Sequence, residues 1–202
     1  IGDWSTETDS QILVPYKGKK LKPFTEYPVE VKAIDDTGEA AEAAMAFETG
    51  RMGTPWKAQW ITDGEYHFTE KKISPKTMTF RKKIACNGKI KKARLYATAL
   101  GIYELALNGE KVGDIYFAPG FTSYKHQLQY QTYDVTEQLK SKEAGENELV
   151  AVVGGGWAVG SFTYKRVNRN YADRQALLCE LRITYEDDTE EIIGTDESWD
   201  VT

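Results

Sequence analysis

The strongest period along this chain is two. Tyr27, Val29, Val31 and Ala33 alternate with Glu26, Pro28, Glu30 and Lys32, which predicts a strand with one wet face. Asp35-Asp36-Thr37-Gly38 follows as a turn, because Asp accepts local backbone hydrogen bonds and Gly tolerates the angles a tight turn needs. Residues 40–49 are rich in alanine, which favours helix, but the run is short and lies between strand-like segments, so it reads as a second strand. Residues 51–55, with Gly53 and Pro55, read as a linker.

Trp56-Lys57-Ala58-Gln59-Trp60-Ile61 opens a second unit. Tyr103, Leu105 and Leu107 share one face and run into Asn108-Gly109, the strongest short-range hairpin signal, because both turn residues accept positive φ. Asp134-Val135-Thr136-Glu137 has capping-box spacing and predicts a short helical turn ending near Leu139. Residues 149–153 are a continuous apolar run, as expected of a strand buried on both faces. Leu177, Cys179, Leu181, Ile183 and Tyr185 alternate with Glu180, Arg182 and Thr184, and Asp187-Asp188 turns the chain into residues 190–193. Many short strands with almost no helix predict an all-β chain built as a sandwich or jelly roll. A sandwich half needs about seven strands, and residues 1–50 read as supplying three or four. The first unit therefore reads as truncated at its N-terminal end. The second stops on Trp199-Asp200-Val201-Thr202, still strand-like, and reads as truncated at its C-terminal end.

Composition narrows the function classes. The chain has 202 residues, 41% hydrophobic and 28% charged, as in ordinary globular domains, so a core can form. Twelve Tyr and five Trp suit both β-sandwich cores and sugar-contact surfaces, since each ring couples an apolar face to a polar edge. The net charge of −5 and the short clusters Lys71-Lys72, Arg81-Lys82-Lys83 and Lys89, Lys91, Lys92 give no basic stripe of the kind nucleic acid requires. No apolar run reaches the roughly 18 residues of a membrane helix. The chain starts at Ile1 rather than Met, which predicts a processed or excised chain and leaves the compartment open. Cys86 and Cys179 form no C-x-x-C pair and read as small buried hydrophobes.

Catalytic chemistry finds few candidates. A glycosidase needs two carboxylates with pKa values pushed apart. Asp35-Asp36 and Asp187-Asp188 sit in predicted turns, where solvated carboxylates lack the raised pKa of a general acid, and Asp196-Glu197 is the third pair. His67 and His126 lie in polar stretches and read as surface or hydrogen-bonding residues. The Gly-rich run Gly154-Gly155-Gly156-Trp157-Ala158-Val159-Gly160-Ser161 lacks the Lys of a phosphate loop. It reads either as a strand-end turn with Trp157 in the core, or as a place where a ligand approaches closely and Trp157 stacks on a sugar ring. Asn168, Asn170 and Asp173 form either an irregular polar loop or a source of ligands for sugar hydroxyls or a cation. No catalytic or metal-binding residue is assigned. The candidate sugar site is Trp157, Asn170 and Asp173.

An ordered series of motifs resembles the N-terminal region of bacterial α-L-rhamnosidases. It runs through Trp56-x-Ala58-x-Trp60-Ile61, then Tyr96-x-Thr98-Ala99-Leu100-Gly101-x-Tyr103-Glu104 and Leu107-Asn108-Gly109-x-x-Val112-Gly113-Asp114. It continues in Pro119-Gly120-Phe121-Thr122-Ser123-Tyr124, Tyr130-Gln131-Thr132-Tyr133-Asp134, Gly156-Trp157 and Thr195-Asp196-Glu197-Ser198-Trp199. Residues 1–50 resemble the later strands of a fibronectin-type-III-like domain. The resemblance implies a partial fibronectin-III-like sandwich over 1–50 and a jelly-roll-like β-sandwich over 56–202. It also implies a parent enzyme that inverts configuration while releasing terminal L-rhamnose, with its catalytic carboxylates in a C-terminal (α/α)6 barrel. This chain is then a non-catalytic accessory region whose partner is that barrel, and it is expected to be inactive by itself. In some relatives such a domain binds rhamnose with calcium, which implies calcium as a candidate cofactor and a rhamnosylated glycan as a candidate partner. Here Gly155, Ala158 and Val159 are small and apolar where many relatives carry polar or bulkier side chains.

Overall fold

A computed structural model describes residues 4–10, 12–64, 75–161 and 164–202. His67 and the Lys71-Lys72 cluster lie outside the described residues. The chain divides into two compact units, residues 1–55 and 56–202.

The first unit holds one antiparallel pair, β1 (Glu26–Ile34) and β2 (Ala40–Glu48). The alanine-rich run is a strand, so pairing overrides its helical propensity. Tyr27 faces Phe47, Val29 faces Met45 and Val31 faces Ala43, which gathers the apolar positions on one side of the pair. The Tyr27 and Phe47 rings stack with centroids 5.7 Å apart. Asp35 Oδ1 accepts from the Thr37 and Glu39 N–H groups and closes the turn. Three or four strands were expected here; two are present among the described residues. None of the described hydrophobic side chains of this unit is fully buried, and Val31 and Met45 are 56% and 64% exposed.

The second unit is a β-sandwich. Its strands are β3 (Met78–Ile84), β4 (Ile90–Leu100), β5 (Ile102–Leu107), β6 (Glu110–Lys111), β7 (Gln131–Asp134), β8 (Asn147–Gly154), β9 (Ala176–Tyr185), β10 (Glu190–Gly194) and β11 (Asp200–Val201). One sheet has the order β10-β9-β4-β7 and the other β11-β3-β8-β5-β6, with every pairing antiparallel. The inner faces follow from the period of two. Leu95, Ala97, Leu177, Cys179, Leu181 and Ile183 come from one sheet, and Phe80, Leu105, Leu107, Leu149, Ala151 and Val153 from the other, into one core. Cys86 and Cys179 are both buried and free, and burial pushes both thiols up.

Three expectations change in detail. Strand β8 was expected to be buried on both faces, but Val152 is 42% exposed while Leu149, Ala151 and Val153 are buried. A central strand is enclosed by its hydrogen-bonded neighbours, yet an antiparallel sandwich sheet still turns one face to water. Asp134 does not form a capping box: its Oδ1 accepts from the Thr136 N–H and hydroxyl, and the chain makes one turn closed by Leu139 N–H donating to the Val135 carbonyl. Glu180, read as part of a polar face, is fully buried.

Asn108 and Gly109 take φ of 55° and 84° and join β5 to β6, with Leu107 paired to Glu110. Asn108 also reaches out of the turn, donating from Nδ2 to the Asn147 side chain at 2.8 Å. Gly109→Val should cost about 1–2 kcal/mol, because a β-branched residue resists this backbone region although the space is open. An unchanged denaturation midpoint would contradict it.

The Tyr103 hydroxyl crosses the core from β5. It lies 3.0 Å from the Ala97 carbonyl, 2.8 Å from Gln131 Oε1 and 3.2 Å from the Tyr133 hydroxyl of the facing sheet. Burial raises the pKa of Tyr103 and Tyr133, and burial pushes Tyr185 from 10.0 up to about 12. A raised folded pKa favours the protonated form, so this stability is complete below pH 10 and is lost as pH rises towards 12. Part of the tyrosinate absorbance should therefore appear only together with loss of native circular dichroism. Full tyrosine ionisation with the fold intact would contradict this.

Candidate functional site

The site is built at the end of β8, where the chain leaves the sheet through the Gly-rich run. Gly155 precedes a single helical turn, α1 (Gly156–Val159). A Cβ on Gly155 would stand 2.9 Å from Gly160 Cα, and one on Gly156 would stand 2.8 Å from the Ile102 backbone nitrogen, so both positions are filled by backbone. Ala158 and Val159 are fully buried, with Tyr124 and Ala172 packed on them. The loop that follows is held to α1 by its backbone. Arg169 N–H donates to the Val159 carbonyl at 2.9 Å, and Tyr171 and Ala172 N–H donate to the Ala158 carbonyl at 3.1 and 3.2 Å.

Trp157 is neither core filler nor a bare plate. It is half-buried, and its ring meets Phe117 and Phe121 edge-on with centroids 6.1 and 6.2 Å apart. Phe121 continues to Tyr124 and Tyr171, which lie 5.1 Å from each other. Five rings from three segments thus form one cluster, with Phe117 62% and Phe121 52% exposed. Sequence reading singled out only Trp157. The signal for the rest was the density of aromatics in 115–124 and at Tyr171, which no strand period explained.

Asn170 and Asp173 lie on the loop pinned to α1, which carries Trp157. Asn170 Nδ2 donates to the Val167 carbonyl at 2.9 Å, so one amide proton closes the loop itself. Asp173 is gripped by Arg174, whose Nε and Nη2 lie 3.3 and 3.1 Å from its two oxygens, and this pairing lowers the carboxyl below its ordinary range. Asn168 is buried. These residues do not fit a calcium ion. The one carboxylate is bound to a guanidinium, and residues 164–174 carry four basic side chains, Lys165, Arg166, Arg169 and Arg174, which oppose a dication. Among the described residues no three of His, Cys, Asp and Glu converge as metal ligands.

One member of each carboxylate pair is committed to a local turn. Asp35, Asp187 and Asp196 each accept from a hydroxyl and an N–H two residues on, in turns. Side-chain hydrogen bonds from Thr37, Thr189 and Ser198 lower their pKa values, the opposite of what a general acid needs. His126 is exposed. No helix among the described residues is long and apolar enough to cross a membrane.

Residues 88–202 match the family described as the α-L-rhamnosidase N-terminal domain. The chain belongs to that family. Residues 4–53 match the Rha78A-like N-terminal immunoglobulin domain, a sandwich architecture that fibronectin type III domains share. An α-L-rhamnosidase from Formosa agariphila is 33% identical over 219 residues, covering 96% of this chain and 22% of its own length. The crystal structure of native α-L-rhamnosidase from Aspergillus terreus superposes with a TM-score of 0.88 at 32% identity, covering 98% of this chain and 23% of that one. The structure of α-L-rhamnosidase from Dictyoglumus thermophilum gives a TM-score of 0.78 at 34% identity, covering 93% and 21%. The chain thus spans about a fifth of the length of these three relatives, and it corresponds to their N-terminal accessory region.

Proposed function

We propose that this chain is a non-catalytic accessory module of an α-L-rhamnosidase, an inverting glycosidase that releases terminal L-rhamnose, and that residues 56–202 pack on and orient the (α/α)6 catalytic barrel of the parent chain. Residues 51–55 act as the linker between its two β domains. One observation carries the reading: relatives align with nearly all of this chain but only about a fifth of themselves, 22% for the Formosa agariphila enzyme. The turn-bound, acidified carboxylates support the inactivity of the module. The chain should release no aglycone from an aryl α-L-rhamnoside above a heat-killed control. Deleting residues 56–202 from the parent enzyme should lower its thermal stability and its turnover. Turnover by the isolated chain, or a parent indifferent to the deletion, overturns the reading.

The half-buried Trp157 ring favours a second reading, contact with rhamnosylated glycan through Trp157, Asn170 and Asp173. Asn170 and Asp173 already spend hydrogen bonds within the loop, and Gly155, Ala158 and Val159 add no polar side chain. Each unmatched buried polar group costs about 1–3 kcal/mol, roughly tenfold or more in affinity. Free L-rhamnose should bind in the millimolar range or not at all, with or without calcium. Trp157→Ala should lose stability more than affinity. A calcium-dependent micromolar response in Trp fluorescence, abolished by Trp157→Ala, would sink this expectation.

A further inference from the structure

Residues 164–174 are out of character with the rest of the chain. The protein carries a net charge of −5, yet this loop holds Lys165, Arg166, Arg169 and Arg174 against the single acid Asp173. Its first part lines an open depression of about 490 Å³ formed by Tyr164, Lys165, Arg166 and Val167. Tyr164 is wholly exposed and Val167 is 41% exposed. Its second part is bound to α1 and places Tyr171 in the ring cluster with Phe121 and Tyr124. One anchored segment therefore carries a basic stretch and brings Tyr171 into the ring cluster of Phe117, Phe121 and Trp157.

From this juxtaposition we infer that loop 164–174 and the Phe117, Phe121 and Trp157 rings form a binding site for an anionic saccharide, a pyranose chain bearing carboxylate or sulfate groups.

The two halves of the site do different work. Sugar rings present C–H groups that pack on the faces of aromatic rings, and an exposed Phe or Tyr ring loses little side-chain entropy on being covered. Lysine and arginine supply charge-assisted hydrogen bonds to carboxylate or sulfate oxygens, which are stronger than bonds to neutral hydroxyls. A neutral saccharide offers the exposed Lys165 and Arg166 no anionic group. A purely anionic peptide uses the cations but leaves the rings uncovered. The ion pair between Arg174 and Asp173 keeps the acid of the loop neutralised, so it does not repel an approaching anion. The inference stands apart from the accessory role: binding is measured on this chain alone, whereas the accessory role is measured on the parent enzyme.

The test is titration of this chain, followed by NMR shifts and calorimetry, with tetragalacturonate, a heparin-derived tetrasaccharide, neutral maltotetraose and tetraglutamate. At least one of the two anionic sugars should bind saturably and roughly tenfold or more tighter than maltotetraose. Its affinity should fall as salt is raised, as screening demands. Whichever of the two binds tighter names the acidic group. Lys165→Ala/Arg166→Ala should weaken that binding about tenfold with an unchanged melting temperature, because both side chains are exposed. Phe121→Ala should weaken sugar binding too, and its melting temperature reports whether the ring cluster survives. The inference is overturned if neutral and anionic sugars bind alike, if tetraglutamate binds as tightly as the sugars, or if the double variant binds like the original. It is equally overturned if no sugar binds while hydrogen exchange shows loop 164–174 covered by protein in the parent enzyme.

Discussion

Gly101→Ala should cost the second unit about 4 kcal/mol or more, a large share of the roughly 5–15 kcal/mol that holds a domain folded. Gly101 is buried between β4 and β5, where the chain leaves one sheet of the sandwich and enters the other. Its φ is 142°, a region L side chains rarely enter, and a Cβ there would stand 2.2 Å from the Gly154 carbonyl oxygen. The atom in the way is backbone of β8, paired with Ile102, so it cannot rotate aside. Relief requires β5 to move off β8, and that opens the core. Denaturant titration of the variant, read by Trp fluorescence, checks this. A loss below about 1 kcal/mol would mean that the sheet-to-sheet crossing tolerates a side chain.

Glu180→Ala should be the most costly loss of a charged side chain, about 3 kcal/mol. Glu180 lies in β9 opposite Tyr96, on the face turned away from the core, and is nonetheless fully buried. Its carboxylate accepts from the Lys57 N–H at 2.6 Å and pairs with Arg182 at 3.2 Å. The segment around Lys57 lies over this face. Gln59 N–H donates to the Thr195 carbonyl, Ile61 pairs with Leu177, and the Trp56 ring meets Tyr130 edge-on, which in turn meets Tyr96. Removing the carboxylate withdraws the acceptor from a covered N–H and from a guanidinium that is 20% exposed. Glu180→Gln keeps an acceptor and should cost about half as much. A double-mutant cycle with Arg182→Ala should give a coupling above about 0.5 kcal/mol, and strict additivity would show that the pair does not hold the face closed.

Most of the fold was legible because its two signals are local. Alternation assigned Leu177, Cys179, Leu181 and Ile183 to the core face, and Asn108-Gly109 placed a hairpin turn. What was missed depends on which segment covers a face, and no period encodes that. Glu180 looked like a wet-face residue because alternation reports parity, and parity is blind to the Lys57 segment 123 residues away that closes over it. The same blindness hid most of the candidate site. Trp157 stood out because it follows glycines, but Tyr171 joins the rings only through the backbone bonds between the loop and α1, and Tyr124 of the 117–124 segment meets them by packing on Ala158 and Val159. Asn170 and Asp173 were chosen for their polar chemistry and for following the Gly-rich run. Their commitments to Val167 and Arg174 are facts of loop geometry that spacing does not carry.

A calorimeter would see this chain as one and a half objects. Residues 56–202 bury a continuous apolar interior, so their unfolding absorbs heat in one sharp peak. The β1–β2 ribbon buries no described hydrophobic side chain completely, so it contributes a sloping baseline without a peak of its own. A melting temperature for the chain is consequently a property of its second unit. Substitutions at Val31 or Met45 should leave that temperature where it was while changing how readily a protease cuts the ribbon.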